Sequence, residues 1–567
     1  MRYTLKVVPH GSIYIGGYSY NTGISDGDTA KDEKGFLIPG SVMKGALREA
    51  AVRLVKGSDQ QEEGAAVLRK VFGEPHDDPA AHDVCGILRV GALRARELPD
   101  RGSLRHHVSL ERATRHASPG RLFQNFVTPA GHEAEFVGEI EWLEEPGADE
   151  QGLLEAAVQI TDQIGGGRGR GLGLVRLEMT SSEKAEEKTS PDVELRDGEA
   201  VVLELEVLEP LRLGDVKDRT NVLTTKDVMD GSAVRGAIAA VLTRQFPDEV
   251  EPVLAGAEPA VFGNARPRSP STIPAPLTLL APKRGDWGEV PPIDIAVDLC
   301  ADSYDGRNFD RKPAKCLVEK QDDRWNKVKT RRRMVSRSAR NHLNGRSHDG
   351  LLYTLQTLDP LQPGKDGAVE RLRFFAPVSG TAEQQRAVIA AAGEGLLVGG
   401  VRTRGYGRVR LAGVTSGLPW GTLEERHRVW VEQVREAISK LPEDKKKEAP
   451  PPESTGVVLA LGPVVLDSCA LHKALAGYGL EATNGRTRRT AHGGWNSRAS
   501  LPRLLCGSFM PGSVWIVRKS DGQDALNVLE KLERNGLGPG RADGWGHVVV
   551  CHPIHLDCLD NSKEKNS

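Results

Sequence analysis

Cysteine, long apolar runs and net charge are all scarce in this sequence. Only seven of the 567 residues are cysteines, and they are scattered and odd in number, which excludes a disulfide scaffold. No apolar run approaches the ~18 residues that a membrane helix needs. The start, Met1-Arg-Tyr-Thr-Leu-Lys-Val-Val, alternates like a strand and differs from a signal peptide. We therefore expect a cytoplasmic protein.

The charge balance excludes one class of nucleic-acid-binding protein. Lys and Arg number 76 and Asp and Glu 78, which gives a formal net charge of −2. A globally basic protein that coats nucleic acid is therefore excluded, although positive charge can be concentrated locally. Of the cations 50 are Arg, which makes bidentate phosphate contacts better than Lys does. Glycine is in excess, at 63 of 567 residues against ~7% in average proteins.

Length and composition indicate several domains. At ~100–200 residues per domain, 567 residues correspond to about three to five domains. Two stretches rich in charge, Pro and Ser have the composition of linkers. We divide the chain into a first domain (1–180), a linker (181–196), a second domain with a basic insertion (197–415), a linker (441–456), a third, partial domain (457–557) and a disordered tail (558–567).

A glycine-rich motif of the form R-x-[RD]-G-x-G-x-V closes each of the three blocks. Loops with glycine at alternate positions expose backbone N–H groups that bind phosphate, and the flanking Arg side chains add charge. A tight crossing where only glycine fits is the alternative. The predicted RNA-contacting residues are Arg168, Gly169, Arg170, Gly171 and Gly173 in the first copy, Arg402, Arg404, Gly405 and Gly407 in the second, and Arg541, Gly544 and Gly546 in the third.

A second motif, Gly-Ser-x-x-[Lys/Arg]-Gly, lies near the start of the first two blocks, at residues 40–45 and 231–236. It predicts a helix start capped at Gly-Ser. We expect its last glycine to let the helix approach a sheet closely. We also expect the glycine-rich loop of each domain to lie against this helix start of the same domain, where both offer N–H groups to phosphate. Lys44, Arg48 and Arg235 are then further RNA contacts.

A strand, a basic tip and an apolar-aromatic return strand lie in the middle of the first two blocks. His107-Val-Ser109 is followed by Gly120-Arg-Leu-Phe123, and Met334-Val-Ser336 by Gly350-Leu-Leu-Tyr353. This pattern predicts a long hairpin or an irregular protruding loop in each block. Each block then has the element order of a split βαβ, or ferredoxin-like (RRM-like), domain. The predicted class is α+β, with several such domains in tandem.

Positive charge is concentrated in residues 324–346, which contain nine Lys or Arg and no acid. A smaller basic stretch with a tryptophan spans residues 486–498. Basic residues interleaved with aromatic ones are typical of single-stranded nucleic-acid binding, and a solvated charged face is the alternative. The residues predicted to bind RNA here are Arg332, Arg333, Arg337, Arg340, Arg488 and Arg489.

Acidic residues are clustered before the first helix, at Asp26 and Asp28. Carboxylates beside a phosphate site can hold Mg²⁺ for RNA cleavage, and they can equally be solvated turn residues. Near the C-terminus, Cys551, His552, His555 and Cys558 lie close together but have no standard zinc spacing, so we expect a strand end with buried cysteines and predict no metal there.

Together these motifs resemble the RAMP superfamily, the RNA-binding proteins of CRISPR systems. Residues 38–48 resemble its helix-start motif and the three glycine-rich loops resemble its C-terminal loop. Residues 1–180 resemble the backbone subunit of type III effector complexes, in which an Asp before the helix motif cuts target RNA. The match would make Asp26 catalytic, although Asp28 replaces the family's usual Pro. Residues 197–555 resemble the large type III-D RAMP subunit.

The resemblance implies a guide-RNA-binding, multi-RAMP subunit of a type III-D-like CRISPR ribonucleoprotein in antiviral defence. Its partners would be guide RNA, target RNA and sibling subunits, and Mg²⁺ would be the cofactor if it cuts target RNA. The alternative is a guide-processing endoribonuclease of the same fold that uses His106 or His107. A cellular RNA-binding protein unrelated to immunity would lack the helix-start motif.

Overall fold

The structure is a computed structural model of the chain. It describes all residues except 17–28, 33–34, 75–83, 97–101, 112, 129–134, 183–192, 215–220, 285–286, 288, 305, 307–309, 341–346, 365–367, 497–500 and 560–567. The described part contains three main antiparallel sheets, each with helices packed on one face, and several smaller sheets of two or three strands.

The first domain is built on a seven-stranded sheet. Its main strands follow the order β11-β1-β10-β7-β3-β2, and β6 pairs with β10. Helices α1 and α3 contact each other on this sheet. The elements are β1 (Arg2–Pro9), β2 (Lys31–Asp32), β3 (Gly35–Ile38), α1 (Gly40–Lys56), α2 (Gln61–Phe72), β4 (Gly73–Glu74), β5 (Val84–Cys85), β6 (Leu88–Val90), β7 (Leu93–Arg96), β8 (Ser103–Leu110), β9 (Ala117–Val127), β10 (Glu135–Trp142), α3 (Ala148–Ile160) and β11 (Val175–Ser181).

The second domain has a six-stranded sheet in the order β14-β26-β12-β28-β27, with β15 paired to β26. Its elements are β12 (Ala200–Val207), β13 (Val222–Leu223), α4 (Gly231–Gln245), α5 (Val250–Leu254), β14 (Val261–Phe262), β15 (Arg266–Pro267), β16 (Ile273–Pro274), β17 (Leu279–Pro282), β18 (Ile293–Asp294), α6 (Ala296–Cys300), β19 (Arg311–Pro313), β20 (Leu317–Gln321), β21 (Arg324–Lys327), β22 (Arg332–Arg340), β23 (Ser347–Leu358), β24 (Leu361–Pro363), β25 (Val369–Arg371), β26 (Arg373–Ser379), α7 (Ala382–Gly393), β27 (Leu396–Leu397) and β28 (Arg408–Ser416).

The third domain is preceded by two helices, the second of which lies within residues 441–456. Its sheet has the order β30-β35-β29-β36. The elements are α8 (Leu423–Ser439), α9 (Glu443–Glu448), β29 (Thr455–Ala460), α10 (Ser468–Ala476), β30 (Leu480–Arg486), β31 (Arg489–His492), β32 (Trp495–Asn496), β33 (Leu501–Pro502), β34 (Cys506–Phe509), β35 (Val514–Lys519), α11 (Leu526–Asn535), β36 (Val548–Val550) and α12 (Ile554–Asp557).

All three sheets share one topology. Numbering the four main strands of each domain in chain order, the spatial order is 4-1-3-2 in every case. Helices follow the first and third of these strands, which is the ferredoxin-like arrangement. The predicted fold class is confirmed. The third domain, which we expected to be partial, contains all six elements.

Three hydrophobic clusters form the cores. The first lies in domain one and the second in domain two. The third combines the third domain with α8 and with residues of the segment from Ile273 to Trp325. This inserted segment belongs to the second block in sequence, yet its apolar side chains pack with the third domain.

Candidate nucleic-acid interface

The three glycine-rich loops have the same backbone conformation. Each contains a short 3₁₀ turn, at Arg168–Arg170, Arg402–Arg404 and Arg541–Asp543. A left-handed glycine follows each turn: Gly171, Gly405 and Gly544. The next glycine of each copy also has a positive φ. A Cβ on Gly173 would lie 2.0 Å from the Ile164 carbonyl oxygen, so a tight crossing is part of the motif's role.

Each of the two later loops lies on the domain before it, and our expectation that a loop contacts the helix start of its own domain is wrong. The loop of the second domain contacts β6 and α1 of the first domain. The loop of the third domain contacts α4 and β14 of the second. The first loop contacts helix α1 of its own domain, beyond the helix start: Arg168 forms an ion pair with Glu49 at 2.9 Å. The two later loops therefore join the domains in a row.

The first glycine of the helix motif makes the close approach that we assigned to the last. A Cβ on Gly40 would lie 2.1 Å from the Val90 oxygen and 3.0 Å from the Arg404 oxygen. A Cβ on Gly231 would lie 2.1 Å from the Phe262 oxygen and 3.0 Å from the Asp543 oxygen. A Cβ added to Gly45 or to Gly236 would have no neighbouring atom within 4 Å. The N-caps are Pro39 and Asp230, and neither caps through a side-chain hydrogen bond.

We call the contact between two successive domains a joint. The cations of the helix motif lie at or near these joints. The Lys44 ammonium is buried and donates to the Leu88 oxygen at 2.7 Å. Burial, and then the nearby Arg404, lower the pKa of Lys44 to about 7. Arg235 lies 3.0 Å from Asp543 of the third domain and donates to the Leu254 oxygen. Arg48 is half-buried. Of these contacts the Arg235–Asp543 ion pair crosses from one domain to the next, which charge and spacing alone did not reveal.

A buried ion cluster at the first joint was also missed by the sequence reasoning. Arg89 is fully buried and pairs with Glu209 of the second domain at 2.5 Å. Arg408 of the second domain pairs with Glu141 of the first at 2.5 Å. The two arginines lower the pKa of Glu141 against the opposing effect of burial. Breaking one partner of such a cluster would leave an uncompensated buried charge.

An arginine and an aromatic ring meet in the middle of each of the two long hairpins, where Phe123 is opposite His107 and Tyr353 is opposite Arg337. The hairpins are β8–β9 and β22–β23. In the first domain the Arg170 guanidinium lies 5.0 Å from the centre of the Phe123 ring. In the second domain Arg404 lies 3.5 Å from the Tyr353 hydroxyl. Both arginines are the third residue of their loop motif, and both are exposed. Such a pair offers a cation for phosphate and a ring for a base.

His107 extends the first of these pairs. Its ring stacks on Phe123 with the ring centres 5.1 Å apart. Partial desolvation, then the charges of Arg170 and Arg105, lower the pKa of His107. This lowering of the pKa favours the neutral imidazole, and a neutral ring can extend an aromatic platform for bases.

The basic segment contains the hairpin strand β22, and part of the charge of this strand is already paired. Arg332 lies 2.5 Å from Asp227, and Arg333 lies 2.8 Å from the buried Asp359. Arg337 and Arg340 belong to β22, and their side chains lie outside the described residues. Arg332 is exposed and Arg333 half-buried, so Arg333 has a structural role beside any role in binding.

The third domain presents a weaker version of the same surface. Arg488 and Arg489 are exposed, and Arg489 lies 5.2 Å from the Phe509 ring centre. Arg541 is half-buried, and burial lowers its pKa. Its loop carries Asp543 where the other loops carry an arginine, and Asp543 pairs with Arg235 and Arg503. The acidic side chain of this loop is therefore used in contacts within the protein, and the loop offers less positive charge to a ligand than the other two.

The predicted catalytic residues Asp26 and Asp28 lie outside the described residues. Within the described part of the chain, no group of three or more His, Cys, Asp or Glu side chains is arranged to hold a metal ion. In that same part, no helix combines the length and apolar character needed to cross a membrane.

Comparison with known proteins gives one family match, in the first domain. Residues 14–176 match the family model of the RAMP superfamily. The match spans the helix motif, the hairpin and the first glycine-rich loop, which are features from which the sequence predicted the resemblance.

Two solved structures of CRISPR assemblies are similar to parts of the chain. One is a chain of a type IV-B CRISPR complex, with 16% identity and a TM-score of 0.24, covering 34% of this chain and 95% of that one. The other is from the cryo-EM structure of the type III-B Cmr-beta complex bound to cognate target RNA, with 10% identity and a TM-score of 0.25, covering 32% and 97%. No curated protein matches the sequence.

Proposed function

We propose that the chain is a guide-RNA-binding subunit of a CRISPR ribonucleoprotein. The repeated arginine–aromatic pair, Arg170 with Phe123 and Arg404 with Tyr353, carries this proposal. The two pairs belong to adjacent domains in a row joined by their loops, so one extended strand can meet the same chemistry twice. Phosphate pairing plus base stacking is the general mode of single-strand binding.

The match of residues 14–176 to the RAMP superfamily supports a place in a CRISPR effector complex. The finer assignment, to a type III-D-like complex, rests on the sequence resemblance of residues 197–555. Cutting of target RNA through Asp26 with Mg²⁺ is a part of the proposal that only the sequence resemblance supports.

Recovery of the native protein with its RNA tests the proposal. We expect the bound RNA to contain repeat-derived sequence with a uniform 5′ end. The variant R170E/R404E should lose it, because each charge-assisted contact contributes ~1.5–3 kcal/mol, or more than tenfold in affinity. R176E/R534E is the matched control, since both arginines are exposed and lie outside the hairpins.

Other outcomes would refute the proposal. Bound RNA of mixed cellular sequence would indicate a general RNA-binding protein. Release of processed guide from a precursor by the purified chain, abolished in H107A, would indicate the guide-processing enzyme instead.

A further inference from the structure

A cavity lies at the first joint and is lined by both domains. Its volume is about 340 Å³, which is in the range of sites that hold small molecules. The first domain contributes Arg2, Glu141 and Trp142, at the ends of β1 and β10. The second contributes Arg244 at the end of α4 and Arg408 of β28. Neither arginine–aromatic pair lines the cavity, so it is separate from the proposed RNA interface.

Contacts across the joint hold the wall of this cavity in place. Arg408 pairs with Glu141 of the first domain. Arg2 lies 3.5 Å from the same carboxylate. Arg244 also reaches across the joint, because its Nη1 donates to the Leu143 oxygen at 3.4 Å. The cavity is therefore formed by the two domains together.

The lining carries a positive charge that no acidic side chain of the described chain neutralises. Its charged side chains are three arginines and two glutamates: Arg2, Arg244, Arg408, Glu141 and Glu394. Arg244 is exposed and donates to two carbonyl oxygens, those of Ala240 and Leu143. Within the described residues it forms no ion pair. Its remaining N–H groups can therefore bind a phosphate or a carboxylate, which match the planar guanidinium.

A buried hydrogen-bond donor belongs to the same cavity. Trp142 lines it and is only 3% exposed. The Nε1 atom of Trp142 is buried and has no hydrogen-bond partner within the described chain. A buried tryptophan N–H usually has a partner, because leaving it unpaired is unfavourable. An acceptor on a bound molecule would supply that partner.

We propose that this cavity binds a small organic anion, a compact molecule that carries a phosphate or a carboxylate group. The oxyanion pairs with the Arg244 guanidinium, and an acceptor of the ligand receives the Trp142 N–H. The indole ring and the side chain of Leu397 supply apolar surface for the rest of the molecule. Because both domains line the site, the bound ligand stabilises the joint by linkage.

Calorimetric titration of the full-length chain at physiological ionic strength tests the inference. The separate probes are adenosine 5′-monophosphate and citrate, which distinguish a phosphate site from a carboxylate site. We expect saturable binding of one probe molecule per chain, for at least one of the two. The probe that binds should also raise the temperature of the first unfolding transition, because it stabilises the joint.

Variants of the two donors assign the binding to this cavity. R244Q should weaken binding more than tenfold, because it removes a charge-assisted hydrogen bond. R244K keeps the charge and should retain part of the affinity. W142F keeps an aromatic ring without the N–H and should weaken binding by about two- to tenfold. R534Q is the matched control and should bind as the wild type does, since Arg534 also lies in the last turn of a helix.

Three results would overturn the inference. They are the binding of neither probe at millimolar concentrations, an affinity that R244Q leaves unchanged, and an affinity that R244K lowers as much as R244Q does. Titration of R170E/R404E separates this site from the RNA interface. We expect the probe to bind that variant normally, whether or not the variant loses RNA. Loss of probe binding there would place the anion on the RNA surface and also contradict the inference.

Discussion

Lys44 has a buried ammonium group at the joint between the first two domains. Its ordinary pKa is 10.5, and burial with the charge of Arg404 lowers the folded-state pKa to about 7. Between these values the unfolded chain binds more protons than the folded one, so stability rises with pH over this window. The folded state is correspondingly penalised below pH 7.

Replacing Lys44 with Met should remove this pH dependence. For the wild type we expect the free energy of unfolding to rise between pH 7 and 9, by at most ~1.4 kcal/mol per pH unit from this residue. K44M should show a smaller rise, measured by denaturant unfolding at each pH. Equal slopes in the two proteins would mean that Lys44 is solvated and charged in the folded state.

Charge and spacing predicted which residues matter near the helix start, but they did not predict what those residues do. Lys44 and Arg235 were expected to contact RNA because they are cations in a repeated motif. Their actual partners, the Leu88 oxygen and Asp543, come from distant parts of the chain. Burial of this kind depends on tertiary contacts, which local sequence does not encode.

Gly231 and Gly236 begin and end the same helix-start motif, yet only one is enclosed. A Cβ on Gly231 would lie 2.1 Å from the Phe262 oxygen. The same Cβ would lie 3.0 Å from the Asp543 oxygen of the third domain, so G231A should destabilise the second domain and its joint with the third by ~1–3 kcal/mol, as overpacking does. G236A should be neutral or stabilising by up to ~1 kcal/mol, because it only restricts the unfolded chain.

Thermal unfolding of the two variants distinguishes the glycines. We expect a lower first transition temperature for G231A and no decrease for G236A. Equal changes in the transition temperature of the two variants would mean that the close packing at Gly231 does not stabilise the joint.

At the scale of the elements, their order was predictable from sequence, whereas their contacts were not. Strand alternation, the helix motif and the loop motif together predicted three ferredoxin-like blocks. The predicted position of each later loop was wrong by one domain. Because the motifs are repeated, the sequence does not distinguish a contact of the loop with its own domain from a contact with the domain before it. One difference between the loops could have indicated the contact of the third loop. The third loop has Asp543 at the position where the second has Arg404, and only an acidic residue there can pair with the cation of a helix motif.

The basic strand β22 should bind the RNA backbone in a way that is independent of RNA sequence. On single strands, the log–log salt dependence of affinity falls by ~0.7 for each phosphate that the protein no longer neutralises. R337Q/R340Q should therefore flatten the slope by ~1.4. Adding R332Q should flatten it by less than ~0.7 more, since Arg332 already pairs with Asp227.

Affinity measured across a salt series checks this prediction. R534Q, on α11, is the control and should leave the slope unchanged. An unchanged slope in R337Q/R340Q would make the strand a solvated face.

At the scale of the whole molecule, the three domains form a row in which each later loop fastens its own domain to the one before it. Composition predicted the division into blocks, but not that residues between Ile273 and Trp325 pack with the third domain. That association joins segments far apart in sequence. Local sequence patterns also did not predict that helix α8 packs into the same core.

Ultraviolet crosslinking of bound RNA to the full-length protein tests the central claim most directly. The claim is that one RNA strand runs along the row of domains and meets the arginine–aromatic pair on each of the two long hairpins. We predict that mass spectrometry will find RNA attached to peptides containing Phe123 and Tyr353, and that R170E/R404E will remove both products. Crosslinks confined to other surfaces, with neither peptide modified, would contradict the account.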